Sequence, residues 1–332
     1  MKNFLVTGGL GFIGSHFVVE QVKKGNLVVN VDKVTYAANY DNVKEISGDK
    51  NYNFIKADIN ETAVIYAALK ESNIDYIVNF AAESHVDNSI KSAGQFIQTN
   101  INGTFSMLEA AKNYYQELEG EKKDNFRFLH VSTDEVFGSL KDGEPAFTEE
   151  NKYLPNSPYS SSKASSDHLV RAWNETYGLP AIITNCSNNY GANQHEEKLI
   201  PKMITNALSG KDLTIYGNGK NIRDWIYVED HCHGIELALT KGQIGDTYCL
   251  GGECEMRNTK IVDLICDILD ELKPKSNGES YKSQIKFIED RQGHDYRYAI
   301  SNAKSKKELG FEVSKSFRNN LEGIISRHCE GV

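Results

Sequence analysis

The chain has 332 residues, a net charge of -9, 25% charged residues and 39% hydrophobic residues. This is the profile of an ordinary soluble globular chain of about two domains. The acidic balance offers no basic footprint for nucleic acid or a membrane surface, and no apolar run is long enough to span a bilayer.

Residues 2–7 predict a buried strand, and Gly8, Gly9, Gly11 and Gly14 follow at once. Residues 15–24 carry the apolar spacing of a helix that stops at Gly25, and residues 27–31 predict a second buried strand closing at Asp32. Strand, glycine turn, helix, strand and acid together let backbone N–H groups approach a pyrophosphate at a helix N-terminus. Alone, a glycine pattern is weak; in this context it predicts a dinucleotide site. Asp32 can accept from both ribose hydroxyls and would repel a 2'-phosphate, which points to NAD rather than NADP; Lys33 next door pulls the other way. The spacing Gly8-x-x-Gly11-x-x-Gly14 is the variant of short-chain-type reductases.

The alternation continues. Residues 53–57 predict a strand ending at Asp58, 62–71 a helix, and 76–79 a strand leading into Ala81, Ala82, Glu83, Ser84 and His85. A long helix is expected over 93–118, then a charged surface connection over 119–124, then a strand over 126–131. This order predicts an α/β fold, a doubly wound parallel (Rossmann) sheet, with ligands beyond the carboxyl ends of the strands. Gly11, Asp32, Asp58, Ser84 and Thr133 all fall there.

Ser132, Thr133, Asp134 and Glu135 close the 126–131 strand, and Tyr159 and Lys163 follow four residues apart, on one face of a helix. A tyrosine hydroxyl has a pKa of about 10 and is ordinarily too weak a base. A cationic Lys163 and a positively charged nicotinamide favour the phenolate, which can take a proton from a substrate hydroxyl as hydride leaves the same carbon. Asp134 and Glu135 form a second acid/base pair whose members can differ in pKa. Taken singly, a Tyr–Lys pair is usually a solvated helix face and an Asp-Glu pair a helix start. The argument rests on their coexistence.

After Cys186 the rhythm breaks. Residues 188–191 are expected to be irregular, and strands and helices follow with different spacing to the C-terminus. The expected division is 1–187 for the dinucleotide-binding domain, with segments near 227–250 returning to its sheet, and 188–332 for a smaller α/β domain. Lys198, Arg223, Arg291 and Arg297 could converge there on a diphosphate. The six cysteines form no Cys-x-x-Cys pair, so buried thiols are expected rather than disulfides or a metal site. Met1 runs straight into a strand, so a cytoplasmic protein is expected.

Taken together these segments resemble the dTDP-glucose 4,6-dehydratases, in the extended branch of the short-chain dehydrogenase/reductase superfamily, over nearly the whole chain. The most telling stretch is Thr133-Asp134-Glu135 before Val136-Phe137-Gly138, where sister 4-epimerases usually lack the two acids. The resemblance implies that Phe12, Ile13, Asp32, Lys33, Thr35, Asp58, Ile59, Phe80, Ala81, Ala82 and Thr99 line NAD with Tyr159 and Lys163. It implies that Ser84, Thr133, Glu135, Asn189, Lys198, Leu199, Thr214, Tyr216, Arg223, Asn258, Arg291 and His294 meet a nucleotide-sugar, and that the chain is a homodimer. Its implied chemistry is oxidation at C4 of the sugar by bound NAD, removal of the C5 proton by Glu135, protonation of the C6 oxygen by Asp134, loss of water and return of hydride to C6, with Thr133 on the C4 oxygen. Departures from the family pattern stand at Asn88, Ala192-Asn193, Gln292 and Tyr296. The alternatives are a nucleotide-sugar 4-epimerase, a 4,6-dehydratase acting on another sugar nucleotide such as UDP-glucose, and a non-catalytic NAD-binding sensor or scaffold.

Overall fold

The computed structural model describes residues 1–314 and 316–330; positions 315, 331 and 332 of the second half lie outside the described residues. The first half runs β1 (Asn3–Thr7), α1 (Phe12–Lys23), β2 (Leu27–Asp32), β3 (Tyr52–Lys56), α2 (Thr62–Glu71), β4 (Tyr76–Asn79), α3 (Val86–Lys91), α4 (Ala93–Phe96), α5 (Gly103–Glu117), α6 (Gly120–Asn125), β5 (Arg127–Thr133), α7 (Pro158–Tyr177) and β6 (Ala181–Cys186). The second half runs β7 (Asn188–Tyr190), α8 (Leu199–Leu208), β8 (Leu213–Tyr216), β9 (Ile222–Tyr227), α9 (Val228–Lys241), β10 (Thr247–Leu250), β11 (Glu255–Arg257), α10 (Asn258–Leu272), β12 (Ile285–Ile288), α11 (Ala303–Leu309) and α12 (Phe317–Glu330).

Seven strands form one parallel sheet in the order β10-β6-β5-β4-β1-β2-β3. Its central strands are buried on both faces, as a sheet covered by helices on either side requires. One face packs Phe17, Val18 and Val22 of α1 and Ile235 and Leu239 of α9 against Phe4, Val6 and Leu129. The other packs Ile65 and Leu69 of α2, Met107 and Leu108 of α5 and Val170 of α7 against Leu5, Ile77 and Phe128. A separate core gathers α8, α10 and α12 beneath the short sheets β11-β9-β7 and β12-β8. The chain leaves the large sheet after β6 and comes back to it at β10.

Three expectations are corrected. The 93–118 helix is interrupted by a π-helical turn at Ile97–Asn102. The wider turn sets Asn100 toward its neighbours: its amide donates to the Glu83 carbonyl at 3.0 Å and to Ser162 Oγ at 2.8 Å, and its own carbonyl accepts from Ser166 Oγ at 2.7 Å. Such turns are often kept where a helix must serve a site. The 119–124 connection folds as the short helix α6, and 188–191 is mostly strand, because β7 finds a partner in β9.

The helix that carries Tyr159 and Lys163 is held at both ends. Ser157 and Ser160 form a capping box, Pro158 takes the first helical position, and Gly178 closes the helix in the left-handed region at φ 67°. Tyr159 therefore stands in the first turn, beside the carboxyl end of β5.

Candidate active site

A cavity of about 310 Å3 opens along the carboxyl ends of β1, β2, β4, β5 and β6. Gly8 turns the chain at φ 69°, and a Cβ there would lie 2.9 Å from the Ala81 backbone. At Gly14 a Cβ would meet the Gly8 carbonyl at 2.4 Å, so α1 packs directly on the turn. Phe12 and Ile13, in the first turn of α1 where the amides have no intrahelical acceptor, line the cavity. Asp32 Oδ2 accepts from Leu10 N at 3.0 Å and Oδ1 from Val34 N at 2.8 Å, so the acid braces the turn it closes. A glycine cradle that side chains would fill, an amide-lined helix start and an acid at the end of β2 fit a dinucleotide.

Gly8, Gly11, Phe12, Ile13, Gly14, Asp32, Lys33, Thr35, Asp58, Ile59, Phe80, Ala81, Ala82, Thr99, Tyr159 and Lys163 all line this cavity. The Lys33 ammonium turns to Asp58 at 2.7 Å. Burial raises the Asp58 carboxyl, but Lys33 and the Asn60 hydrogen bonds outweigh it and hold the pKa below the usual carboxylate value.

Ser84, Thr133, Glu135, Asn189 and Lys198 line the same cavity. The Thr133 side chain accepts from Glu135 N at 3.3 Å and caps the short 3-10 turn Asp134–Phe137. Asp134 is 2% exposed, and its Oδ2 is buried without a hydrogen-bond partner. Burial and the neighbouring charge of Glu135 push its pKa well above the carboxylate range. Burial raises the pKa of the half-buried Glu135 too, and Arg223, Arg291 and Lys198 offset only part of that rise. Two adjacent acids thus occupy different electrostatic settings, one favouring the protonated form and one facing three cations.

Tyr159 and Lys163 both line the cavity, and the Lys163 ammonium is held against β5. Lys163 Nζ donates to the Val131 carbonyl at 2.9 Å and lies 3.2 Å from His130 Nε2. The chain's own groups raise the Tyr159 phenol well above its usual value through burial, then Glu135 and Cys186, with the Thr133 hydroxyl working in the opposite direction. Burial brings Lys163 down to about 8.

The remaining residues lie on the second half. Tyr216 Oη donates to Asp87 Oδ2 and an Arg291 guanidinium nitrogen to Asp87 Oδ1, both at 3.3 Å, so Asp87 of α3 ties the two together, and the Arg291 charge acts on Glu135. Arg223 is buried, donates to the carbonyls of Ile222 at 2.7 Å and Asp295 at 2.9 Å, and lies over the Tyr298 ring at 4.3 Å. His294 Nδ1 meets Asp290 Oδ1 at 2.6 Å. Asn258 opens α10 with a buried, unpartnered Oδ1. Leu199 opens α8 beside Lys198, and Thr214 lies in β8 opposite Lys286. Arg297 does not join the other cations: it is bound to Glu255 at 2.6 and 2.8 Å.

Sequence reasoning missed Cys186, Ser187 and Asn188, which line the cavity after β6, and Gln194, His195 and Glu197, which line it further on. The first three were within reach of the strand-end rule, since β6 belongs to the parallel sheet. The last three sit between β7 and α8 and carry no local signal.

The chain matches the family described as GDP-mannose 4,6 dehydratase over residues 5–324. It is 51% identical to a dTDP-glucose 4,6-dehydratase of Xanthomonas campestris over 322 residues, covering 97% of this chain and 91% of the relative. It is 50% identical to one from Haemophilus influenzae, covering 98% and 97%. Among solved structures, the dTDP-glucose 4,6-dehydratase of Streptomyces venezuelae with NAD bound superposes with a TM-score of 0.89 at 40% identity, covering 99% of this chain and 97% of that one. The Bacillus anthracis dTDP-glucose 4,6-dehydratase in complex with NAD gives 0.87 at 42%, covering 99% and 97%. A UDP-glucose 4-epimerase of Thermotoga maritima gives 0.86 at 24%, covering 99% of each chain, a likeness of fold alone.

Proposed function

We propose a division of work among the site's residues, starting from the fact that this chain belongs to the dTDP-glucose 4,6-dehydratase family. It is an NAD-dependent hydro-lyase that converts dTDP-glucose to dTDP-4-keto-6-deoxyglucose and water. Bound NAD supplies the oxidant for C4 and gives the same reducing equivalent back at C6, so none is consumed.

Tyr159 takes the proton of the C4 hydroxyl, and Thr133 hydrogen-bonds the C4 oxygen. The 4-keto group acidifies C5–H. Glu135 removes that proton, Asp134 protonates the C6 oxygen, water departs, and Glu135 returns a proton to C5. What supports this order is the contrast between the two acids: Asp134, buried with one bare oxygen, is built to hold a proton, while Glu135 faces Arg223, Arg291 and Lys198 and is the better base. Those cations and Asn189 would meet the nucleotide-sugar, and the glycine turn, Asp32 and Asp58 would hold NAD. A 4-epimerase has no use for Asp134 and Glu135.

The chain assembles as a homodimer through α5 and α7, a reading supported by Phe105 on α5 and Tyr177 on α7, apolar side chains at least 46% exposed, with Ile97 in the π-helical turn before α5 exposed to the same degree. Its place is the cytoplasm, in keeping with six free cysteines and with no helix, among the described residues, long and apolar enough to cross a membrane.

The test is turnover of dTDP-glucose by the NAD-loaded enzyme, followed by the alkaline absorbance of the keto product, with UDP-, GDP- and CDP-glucose alongside. The Asp134→Asn, Glu135→Gln double variant should form no keto-deoxy sugar. Dehydration at the wild-type rate in that variant rejects the assignment.

A further inference from the structure

Beneath the site lies a buried polar row that the reaction above does not use. Thr7 Oγ1 donates to Asn79 Oδ1 at 2.6 Å, Asn79 Nδ2 meets His130 Nδ1 at 3.1 Å, and His130 Nε2 lies between Lys163 Nζ at 3.2 Å and Asp167 Oδ1 at 3.5 Å. Asp167 stands one turn beyond Lys163 on the same face of α7 and is 2% exposed. Ser132 Oγ donates to its Oδ2 at 2.8 Å, while Oδ1 has no hydrogen-bond partner.

A bare carboxylate oxygen at this depth is costly unless a positive charge answers it. His130 does not supply that charge. Burial, then the charge of Lys163, hold its pKa well below the usual imidazole value, so the ring is a neutral spacer. The cation that acts on Asp167 is Lys163. The same logic runs the other way. Burial alone tends to strip the proton from Lys163, and Asp167 and Cys186 oppose that loss. Burial pushes the Cys186 thiol up to about 12, so it carries no charge near neutral pH. Asp167 is left as the anion.

We propose that Asp167 is a positioning residue for Lys163: its carboxylate, across the edge of the His130 ring, keeps the ammonium charged and turned onto β5, where that charge serves Tyr159. The proposal rests on the dehydratase reading above. It distinguishes Asp167 from an ordinary buried helix anchor, whose polar contacts to Ser132, Asn185 and Tyr153 an asparagine could largely reproduce. The titratable groups facing this pocket are Tyr159 and Asp167 from α7, His130 from β5, Cys186 from the end of β6, and Tyr153 from the loop before α7.

The experiment is the pH dependence of kcat for dTDP-glucose dehydration by the NAD-loaded full chain, for wild type, Asp167→Asn and Asp167→Glu. With the counter-charge removed, Lys163 loses its proton at lower pH. The alkaline fall of kcat should therefore move down by a pH unit or more in Asp167→Asn and return toward wild type in Asp167→Glu, with KM for dTDP-glucose within twofold of wild type. If Asp167→Asn does not fold, Asp167→Ser takes its place. An alkaline limb at the wild-type pH in the neutral variant, whatever its kcat, overturns the proposal and leaves the dehydratase reading standing. A wild-type chain that makes no keto product rejects that reading, and the role of Asp167 with it.

Discussion

The Thr133 hydroxyl reaches Asp134 Oδ1 at 3.3 Å, and the same oxygen accepts the amide of Glu135 at 3.3 Å. One side chain at the end of β5 therefore holds the Asp134 carboxyl and the Glu135 backbone, and its hydroxyl also bears on the Tyr159 phenol. Its replacement by valine keeps the shape and removes each of these interactions. The expected result for Thr133→Val is a fall in kcat on the order of 10²-fold, the cost of losing one oriented hydrogen-bond group in a site. Steady-state turnover of dTDP-glucose beside a thermal melt separates this from a loss of fold; a kcat within twofold of wild type would count against Thr133.

Tyr159→Phe removes the hydroxyl that takes the C4 proton. Because burial, Glu135 and Cys186 hold the phenol up in the chain itself, the base is made only where positive charge answers it. A loss of roughly 10²–10⁴-fold in kcat is expected, the range for a general base, with NAD still bound. Single-turnover kinetics with cofactor content read from absorbance decide the point.

Gly14 is in contact with the turn it serves. A side chain there drives into the Gly8 carbonyl, which a Cβ already meets at 2.4 Å. Gly14→Val should cost about 1–3 kcal/mol, as overpacking does elsewhere, and should lower the NAD retained on purification. Gly48, where nothing lies within 4 Å of a Cβ, is the control: Gly48→Ala should change neither.

His231 sets a pH limit on stability. It is fully buried, its Nδ1 donates to Asn189 Oδ1 at 2.9 Å, and Nε2 has no partner. Burial depresses its pKa from 6.5 to about 3. The folded state therefore binds fewer protons than the unfolded one between these values. The neutral ring's contribution is complete above pH 6.5 and is lost as pH falls toward 3, at about 1.4 kcal/mol per pH unit. Urea unfolding at pH 7 and pH 5 should show a drop of about 2 kcal/mol from this group, and His231→Gln should show a correspondingly smaller one. An equal drop in both proteins would remove His231 from the account.

Some of this was determined by order along the chain. The glycine turn, Asp32, the strand ends and the Thr133-Asp134-Glu135 run could be read directly, because a parallel strand, its turn and the next helix are local, and each speaks through neighbouring residues. Other features needed the folded molecule. Arg291, Tyr216 and Asp87 come together across more than a hundred residues, Arg297 is drawn off to Glu255, and Lys163 settles against His130 and the β5 backbone. Charge partners and buried depth are properties of the packed interior, where desolvation decides which acid keeps its proton, and no spacing in the chain encodes that.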